Sequence, residues 1–193
     1  IFLGLITSDA DMGRDSLRVV RWLTFKLSGG LGIAVVLANA LFAAMTGISI
    51  ASASIFSKIA YPYMVEEGYS KRFSLGLIAG SSILGMLIPP SILLIIYGVI
   101  AEVSINKLFL AAVIPGLILV ILLIIKVQVL SYFKFIQHAV VKEDNKRPDK
   151  NAFKGFYAVL MILLAVLGGI YTGIFTPTEA GATGTAIAII FSI

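Results

Sequence analysis

The sequence contains no cysteine and a single histidine, His138. The absence of cysteine excludes disulfide bonds and thiolate metal sites within these 193 residues, and one imidazole in a polar loop argues against a histidine metal centre. Charge is also scarce, because 13% of the residues are charged whereas 59% are hydrophobic, and the mean hydropathy is +1.04. A water-soluble domain of this length does not have such a composition. The sequence therefore predicts a membrane protein.

The apolar runs contain no acid, no base and no imidazole. A proton relay of the kind that pumps use needs such groups at membrane depth, so these residues offer no such relay. The same absence leaves no nucleophile with a neighbouring base, which argues against an enzyme. The net charge of +5 lies in short loops between apolar runs, where it indicates membrane topology rather than affinity for nucleic acid.

A charge-free stretch, residues 27–57, is interrupted in its middle by Thr46, Gly47 and Ser49. A helix that spans a membrane needs roughly 20 apolar residues, whereas the interruption leaves halves of about 15 residues. We therefore predict a re-entrant helical hairpin over residues 29–67, with irregular backbone at its tip. Backbone of this kind is tolerated at membrane depth only against protein or a water-filled cavity, and transporters place their ligands at such tips.

A second charge-free run, residues 73–101, contains Pro89 and Pro90 between Gly85 and Ser91. Proline has no backbone N–H, so carbonyls about one turn earlier lose their helical donors, and a new half-helix can begin at Pro90. Two adjacent prolines favour an unwound segment over residues 85–91. A simple proline kink is the alternative.

The remaining chain alternates between apolar runs and polar loops, and the basic loop near its centre is predicted to be cytoplasmic. The basic helix near the beginning is predicted to lie at the membrane surface, or alternatively to be a loop helix without lipid contact. Because the sequence begins without methionine and stops inside an apolar run, we expect an internal fragment. The predicted segments are the end of a span plus a basic amphipathic interfacial helix (1–28), the re-entrant hairpin (29–67), a broken transmembrane helix (73–101), a transmembrane helix (108–130), a cytoplasmic loop (131–154) and transmembrane helices around a connection at residues 175–180 (155–193).

Two polar side chains stand out within the hairpin. Asn39 lies two helical turns before Thr46, and a buried amide must find partners, either in an interhelical hydrogen bond or in a ligand. Ser52 in the second arm can bond to its own helix or face a polar cavity. The half-helices that start near Ile50 and Pro90 would favour an anionic group at their N-terminal ends, and freed carbonyls at the ends of the preceding half-helices suit a cation.

Taken in order, these motifs resemble the large membrane subunit of tripartite ATP-independent periplasmic (TRAP) transporters, the DctM type. The resemblance covers nearly the whole segment and rests on the order and spacing of the motifs. Many members of this family carry Ser-Gly-Ser at the hairpin tip, and this chain departs from that pattern. The motifs are Gly29-Gly30-Leu31 and Thr46-Gly47-Ile48-Ser49-Ile50-Ala51-Ser52-Ala53 in the hairpin, Ile88-Pro89-Pro90-Ser91 in the broken helix, then Ser104-Ile105, Leu108-Phe109 and Pro115-Gly116, and finally Gly169-Ile170-Tyr171 and Phe175-Thr176-Pro177-Thr178-Glu179-Ala180.

The resemblance implies an all-α polytopic membrane protein with an elevator-type transporter fold, of which this segment is the first of two inverted repeats. It implies sodium-coupled import of an organic anion, such as a C4-dicarboxylate, sialic acid or a related carboxylate, across the bacterial inner membrane. The implied partners are a periplasmic substrate-binding protein of the DctP type, a small four-helix membrane subunit of the DctQ type and the lipid bilayer. Sodium is the coupling ion, and no organic cofactor is expected.

In the family's fold the hairpin tip meets the unwound segment of the broken helix, and carbonyl and hydroxyl oxygens there would bind sodium, because hard cations prefer oxygen ligands. Two other interpretations stay open, namely a channel with a continuous pore and a structural subunit that does not transport. The implied sodium-binding residues are Thr46, Gly47, Ser49, Gly85, Pro89, Pro90 and Ser91, and the implied substrate-binding residues are Asn39, Ser49, Ser52 and Ser91.

Overall fold

A computed structural model describes residues 12–133 and 148–192, and within these two ranges the regular structure is entirely helical. The all-α prediction is therefore confirmed for the described part of the chain. Ser8 and Asp11 have the spacing of a capping box, which predicts a helix start there, and both lie outside the described residues. The helices in chain order are α1 (Met12–Thr24), α2 (Gly30–Thr46), α3 (Ser49–Glu66), α4 (Lys71–Ser82), α5 (Leu84–Leu87), α6 (Ile92–Ile100), α7 (Ile105–Tyr132), α8 (Lys150–Tyr171) and α9 (Pro177–Ser192).

Helix α1 is amphipathic, as its sequence predicts, but its apolar face packs on protein. Leu17 and Val20 are buried while Arg14 and Arg18 are exposed, and the helix packs mainly against α2 and α8. The apolar pattern ends before Leu23, which is 61% exposed. Whether this face of the protein meets a membrane surface stays a prediction.

Helices α2 and α3 form an antiparallel hairpin joined by two residues, Gly47 and Ile48. Gly47 has a φ of 64° and its N–H donates to the carbonyl of Ala43 at 2.8 Å, the left-handed helix ending that glycine favours. The rings of Phe42 and Phe56 face each other across the hairpin with their centroids 6.0 Å apart. The break thus falls where the sequence predicts it, although each arm is longer than expected, at 17 and 18 residues.

Helices α4, α5 and α6 form the broken helix, whose two parts, Lys71–Leu87 and Ile92–Ile100, are bent by 42°. The prediction of an unwound segment over residues 85–91 was too wide, because Gly85 lies within α5 and the irregular backbone starts at Ile88. The reason is steric, since proline disfavours helical geometry at the residue directly before it, here Ile88 before Pro89. Irregular backbone over four residues is more than a proline kink.

Helices α7 and α8 are long and apolar enough to cross a membrane, and the bent pair would make a third span. Helix α7 begins and ends beyond the predicted segment 108–130, and it continues through Pro115. Helix α8 begins at Lys150, inside the predicted loop. Helix α9 starts with a reciprocal cap, in which the Thr176 N–H donates to Glu179 Oε2 at 2.8 Å and the Glu179 N–H donates to Thr176 Oγ1 at 3.4 Å.

Candidate functional site

The hairpin tip packs directly against the break in the second helix. A Cβ atom on Gly47 would lie 2.6 Å from the carbonyl oxygen of Pro90, and one on Gly85 would lie 3.3 Å from the backbone nitrogen of Ser49. The carbonyl of Gly47 also accepts a hydrogen bond from the Ile92 N–H at 3.4 Å. Glycine at position 47 therefore allows two backbones to touch where a Cβ would clash, and glycine at position 85 leaves room for a contact that a Cβ would make tight.

Four helix ends meet at this contact. The C-terminal ends of α2, at Thr46, and of α5, at Leu87, carry partial negative charge on carbonyls that lack helical donors. The N-terminal ends of α3 and α6 carry partial positive charge, and in α6 the N–H groups of Ile92 and Leu94 already donate to the Gly47 carbonyl and to Ser91 Oγ. The arrangement therefore offers carbonyl oxygens to a cation and amide hydrogens to an anion within one small region.

Ser91 replaces one hydrogen bond that the prolines remove. Its hydroxyl donates to the carbonyl of Met86 at 2.7 Å, and its oxygen accepts the N–H of Leu94 at 3.5 Å at the start of α6. Pro90 has no N–H to offer Met86, so the serine side chain takes the place of the missing backbone donor. This fully buried serine thus has a structural function, and its predicted contacts with sodium and substrate stay predictions.

Thr46 and Ser49 lie on either side of the tip and are nearly buried, with 5% and 7% of their surface exposed. The Thr46 hydroxyl donates to the carbonyl of Ala43 at 3.3 Å, within its own helix. Among the described residues, the Ser49 hydroxyl makes no hydrogen bond. Ser49 is therefore the tip residue whose side-chain oxygen is most available to a ligand.

Asn39 and Ser52, whose contact with substrate stays a prediction, are hydrogen-bonded to each other, and Asn39 also bonds to α4. The Ser52 hydroxyl donates to Asn39 Oδ1, and Asn39 Nδ2 donates to Ser81 Oγ at 2.7 Å and to the carbonyl of Ile78 at 3.3 Å. Sequence reasoning missed Ser81. The available signal was its position one helical turn before Gly85, which places both residues on one face of the helix.

The opposite end of the hairpin carries an ion pair with α1. Arg21 of α1 forms an ion pair with Glu67, which follows α3, and its guanidinium lies 6.0 Å from the ring centre of Tyr63. Burial raises the pKa of Glu67, an effect that Arg21 partly offsets. Burial also raises the pKa of Tyr69 to about 12, while a hydrogen bond with the backbone of Gly32 opposes that rise. An open cavity of about 360 Å³ lies beside this ion pair, away from the tip.

Comparison with known proteins gives a consistent picture. Residues 1–193 match the family model described as tripartite ATP-independent periplasmic transporter, DctM component. The chain is 40% identical over 156 residues to the C4-dicarboxylate TRAP transporter large permease protein DctM of Pseudomonas aeruginosa, an alignment that covers 81% of this chain and 36% of that protein. It is 33% identical over 191 residues to the sialic acid TRAP transporter large permease protein SiaM of Vibrio cholerae, covering 98% of this chain and 44% of that protein.

A third relative is the isethionate TRAP transporter permease protein DctMQ of Oleidesulfovibrio alaskensis, which is 33% identical over 193 residues, covering 98% of this chain and 30% of that protein. The chain thus spans less than half the length of these relatives. The resemblance noted in the sequence is confirmed over its whole length. The chain belongs to the DctM family of TRAP transporter large membrane subunits, a family of multi-pass membrane transporters rather than enzymes.

Proposed function

We propose that this chain is the first inverted repeat of a sodium-coupled, elevator-type importer of an organic acid in the bacterial inner membrane. A periplasmic substrate-binding protein delivers the anion, and a small four-helix membrane subunit accompanies the large one. The observation that carries the proposal is the contact of the hairpin tip with the helix break, which gathers backbone carbonyl oxygens and the N-terminal ends of two helices at one place. The names of the relatives support an organic acid, because they refer to C4-dicarboxylate, sialic acid and isethionate.

The oxygens at this contact fit a hard cation. Backbone carbonyls and hydroxyls are the ligands that such ions prefer, and the ends of α2 and α5 direct carbonyls without helical donors toward this region. Sodium would be held by oxygens of Thr46, Gly47 and Ser49 from the tip and by oxygens of the break. The residues proposed on the side of the break are Gly85, Pro89, Pro90 and Ser91.

The organic anion would bind beside the ion, where the N-terminal amides of α3 and α6 favour negative charge. Ser49 begins α3 and has its hydroxyl free of hydrogen bonds within the described chain, so it suits this function as well. Asn39, Ser52 and Ser91 would have to exchange existing hydrogen bonds to contact the anion. Their direct contact with substrate stays a prediction.

The test compares Ser49→Ala with Ser54→Ala in the full-length protein, reconstituted with its partner subunits in proteoliposomes. Ser54 is on the same helix and exposed, so it controls for loss of a serine from this arm. Loss of one oxygen ligand worth about 1 kcal/mol predicts a sodium half-saturation about fivefold higher for Ser49→Ala and an unchanged value for Ser54→Ala.

Sodium binding is also measured without transport. An ion that binds the folded state raises its apparent thermal stability, so sodium should stabilise the wild type more than Ser49→Ala at the same concentration. Equal sodium dependence of Ser49→Ala and Ser54→Ala, or uptake that needs no sodium, would overturn the proposal. Conductance far above transporter turnover would favour a channel instead.

A further inference from the structure

Three helices are joined by a buried chain of polar side chains, which we call the amide cluster: Asn39 of α2, Ser52 of α3 and Ser81 of α4. Each of the three is 0% exposed. The Ser52 hydroxyl donates to Asn39 Oδ1, both hydrogens of the Asn39 amide are used by Ser81 Oγ and the carbonyl of Ile78, and the Ser81 hydroxyl donates to that same carbonyl at 3.2 Å. The hydrogen bonds therefore run in one direction, from α3 through α2 to the backbone of α4.

A cluster of this kind fixes the relative positions of the helices. No water reaches these groups, so sliding α2 along α4 would leave a buried donor or acceptor without a partner, which is costly. Apolar contacts alone allow helices to shift with little change in energy, whereas an amide with three partners defines one register. Within the described residues, the amide cluster links both arms of the hairpin, α2 and α3, to α4 through polar side chains.

The cluster also lies at a suitable distance from the candidate site. Asn39 is eight residues before Gly47, about 12 Å along α2 at 1.5 Å per residue. Ser81 is one helical turn before Gly85 in the run that leads to the break. Each of the two partners of the Asn39–Ser81 hydrogen bond thus shortly precedes, along the chain, a glycine at which the tip and the break touch.

We propose that Asn39 and Ser81 are positioning residues, which hold the hairpin in register with the broken helix so that the Gly47 carbonyl meets the Ile92 N–H. This function needs no contact between Asn39 and the transported anion, because Asn39 acts through backbone geometry, two turns away from the tip. The expected loosening of the contact between tip and break, when the cluster is disrupted, is argued from the hydrogen bonds of the cluster alone. Its consequence for sodium affinity rests on the proposed function.

The chain provides a matched pair of variants, Ser81→Ala and Ser82→Ala. Both serines are buried and adjacent on α4, but the Ser82 hydroxyl donates to the carbonyl of Ala79 in its own helix at 2.7 Å. Loss of the Ser82 hydroxyl therefore removes a buried hydroxyl without disturbing the contact between helices. Ser52→Ala is a milder variant, because it leaves the Asn39–Ser81 bond in place.

The first measurement is hydrogen exchange at the Ile92 amide in the full-length protein, a readout independent of transport. In Ser81→Ala the Ile92 amide hydrogen should exchange about tenfold faster, because the contact between tip and break opens more often. In Ser52→Ala it should exchange faster to a smaller extent. In Ser82→Ala its exchange rate should match that of the wild type. Unchanged exchange at Ile92 in Ser81→Ala, or equal acceleration in Ser82→Ala, would overturn the positioning function. If Ser81→Ala does not fold, Ser52→Ala decides in the same way.

The second measurement is the sodium dependence of uptake. A positioning residue should raise the half-saturating sodium concentration several-fold in Ser81→Ala while the maximal rate at saturating sodium changes little. Faster exchange at Ile92 with unchanged sodium dependence would leave the positioning function intact and refute the sodium site at this contact. The two failures are therefore distinguishable.

Discussion

Helices α2 and α7 are both strongly apolar, yet they occupy opposite environments. Every residue of α2 except Leu37 and Leu41 is buried within the protein. In α7 many large side chains face outward, with Ile114 67% exposed and Leu122 55% exposed. The buried positions of α7 form a single stripe at Phe109, Ala112, Gly116, Val120, Val127 and Ser131.

The difference between the two helices lies in side-chain size rather than in apolarity. Lipid tails are as apolar as leucine, so helices in a membrane associate where small residues permit close packing. A Cβ atom on Gly32 of α2 would lie 2.8 Å from a methyl group of Val127, so the inward stripe of α7 packs directly on a glycine. Seven of the α2 positions that allow such packing are Gly30, Gly32, Ala34, Ala38, Ala40, Ala43 and Ala44.

The largest effect is expected where a large side chain is removed from the hairpin interior. Phe42 is 0% exposed and packs on Phe56, so Phe42→Ala should lower the free energy of unfolding by about 3–5 kcal/mol. Leu122→Ala on the outer face of α7 should cost about 0.5 kcal/mol or less. Thermal unfolding of the full-length protein in lipid nanodiscs measures both, and similar losses would contradict the distinction between the two helices.

A smaller effect is expected from adding a methyl group at the tip. Gly47→Ala places an alanine at a φ of 64° with its Cβ 2.6 Å from the Pro90 carbonyl oxygen, and the backbone strain should cost about 1–3 kcal/mol. Gly76→Ala is the control, because a Cβ there meets nothing within 4 Å among the described residues. It should leave stability unchanged or raise it by up to about 1 kcal/mol, as expected for glycine within a helix. A harmless Gly47→Ala would show that the tip does not press on the break.

The breaks in the helices could be predicted from the sequence because their causes are local. A glycine with positive φ ends α2, and the prolines at 89 and 90 end α5, so each effect depends on residues that are neighbours in the chain. Gly30, Ala34 and Ala38 of α2 are small residues four apart, a spacing that indicates close helix packing, and all three are buried. Gly76 and Gly80 have the same spacing, but a Cβ at either position has no neighbour within 4 Å in the described part of the chain.

The partners of the polar residues could not be predicted from the sequence, because they depend on how the helices pack. Asn39 and Ser81 are 42 residues apart, and Arg21 and Glu67 are 46 apart. The sequence shows that a buried amide needs partners, yet it does not show which helix supplies them. The bond of Ser91 to Met86 could not be predicted for the same reason, since it becomes visible only once the backbone path through the prolines is known. The contacts of Ser91 with sodium and substrate that the resemblance implies stay predictions.

The smallest effect is expected at the polar base of the hairpin, where Glu67 pairs with Arg21. Burial raises the pKa of Glu67 above its ordinary value of 4.5, and the attraction of Arg21 offsets only part of that rise. The folded state therefore disfavours the ionised carboxylate relative to the unfolded chain. The resulting stability is present below pH 4.5 and is lost as the pH rises through the pKa of the folded state.

Glu67→Gln keeps the shape of the side chain but stays neutral at every pH. The variant should match the wild type at pH 4 and become more stable than it at pH 7, by less than about 1 kcal/mol because both partners are partly exposed to solvent. Thermal unfolding between pH 4 and pH 8 measures the difference, and Glu66→Gln removes a neighbouring exposed carboxylate as the control. If the wild type instead gained stability over Glu67→Gln as the pH rose, the attraction of Arg21 would outweigh burial, and the ion pair would help hold the base of the hairpin against α1.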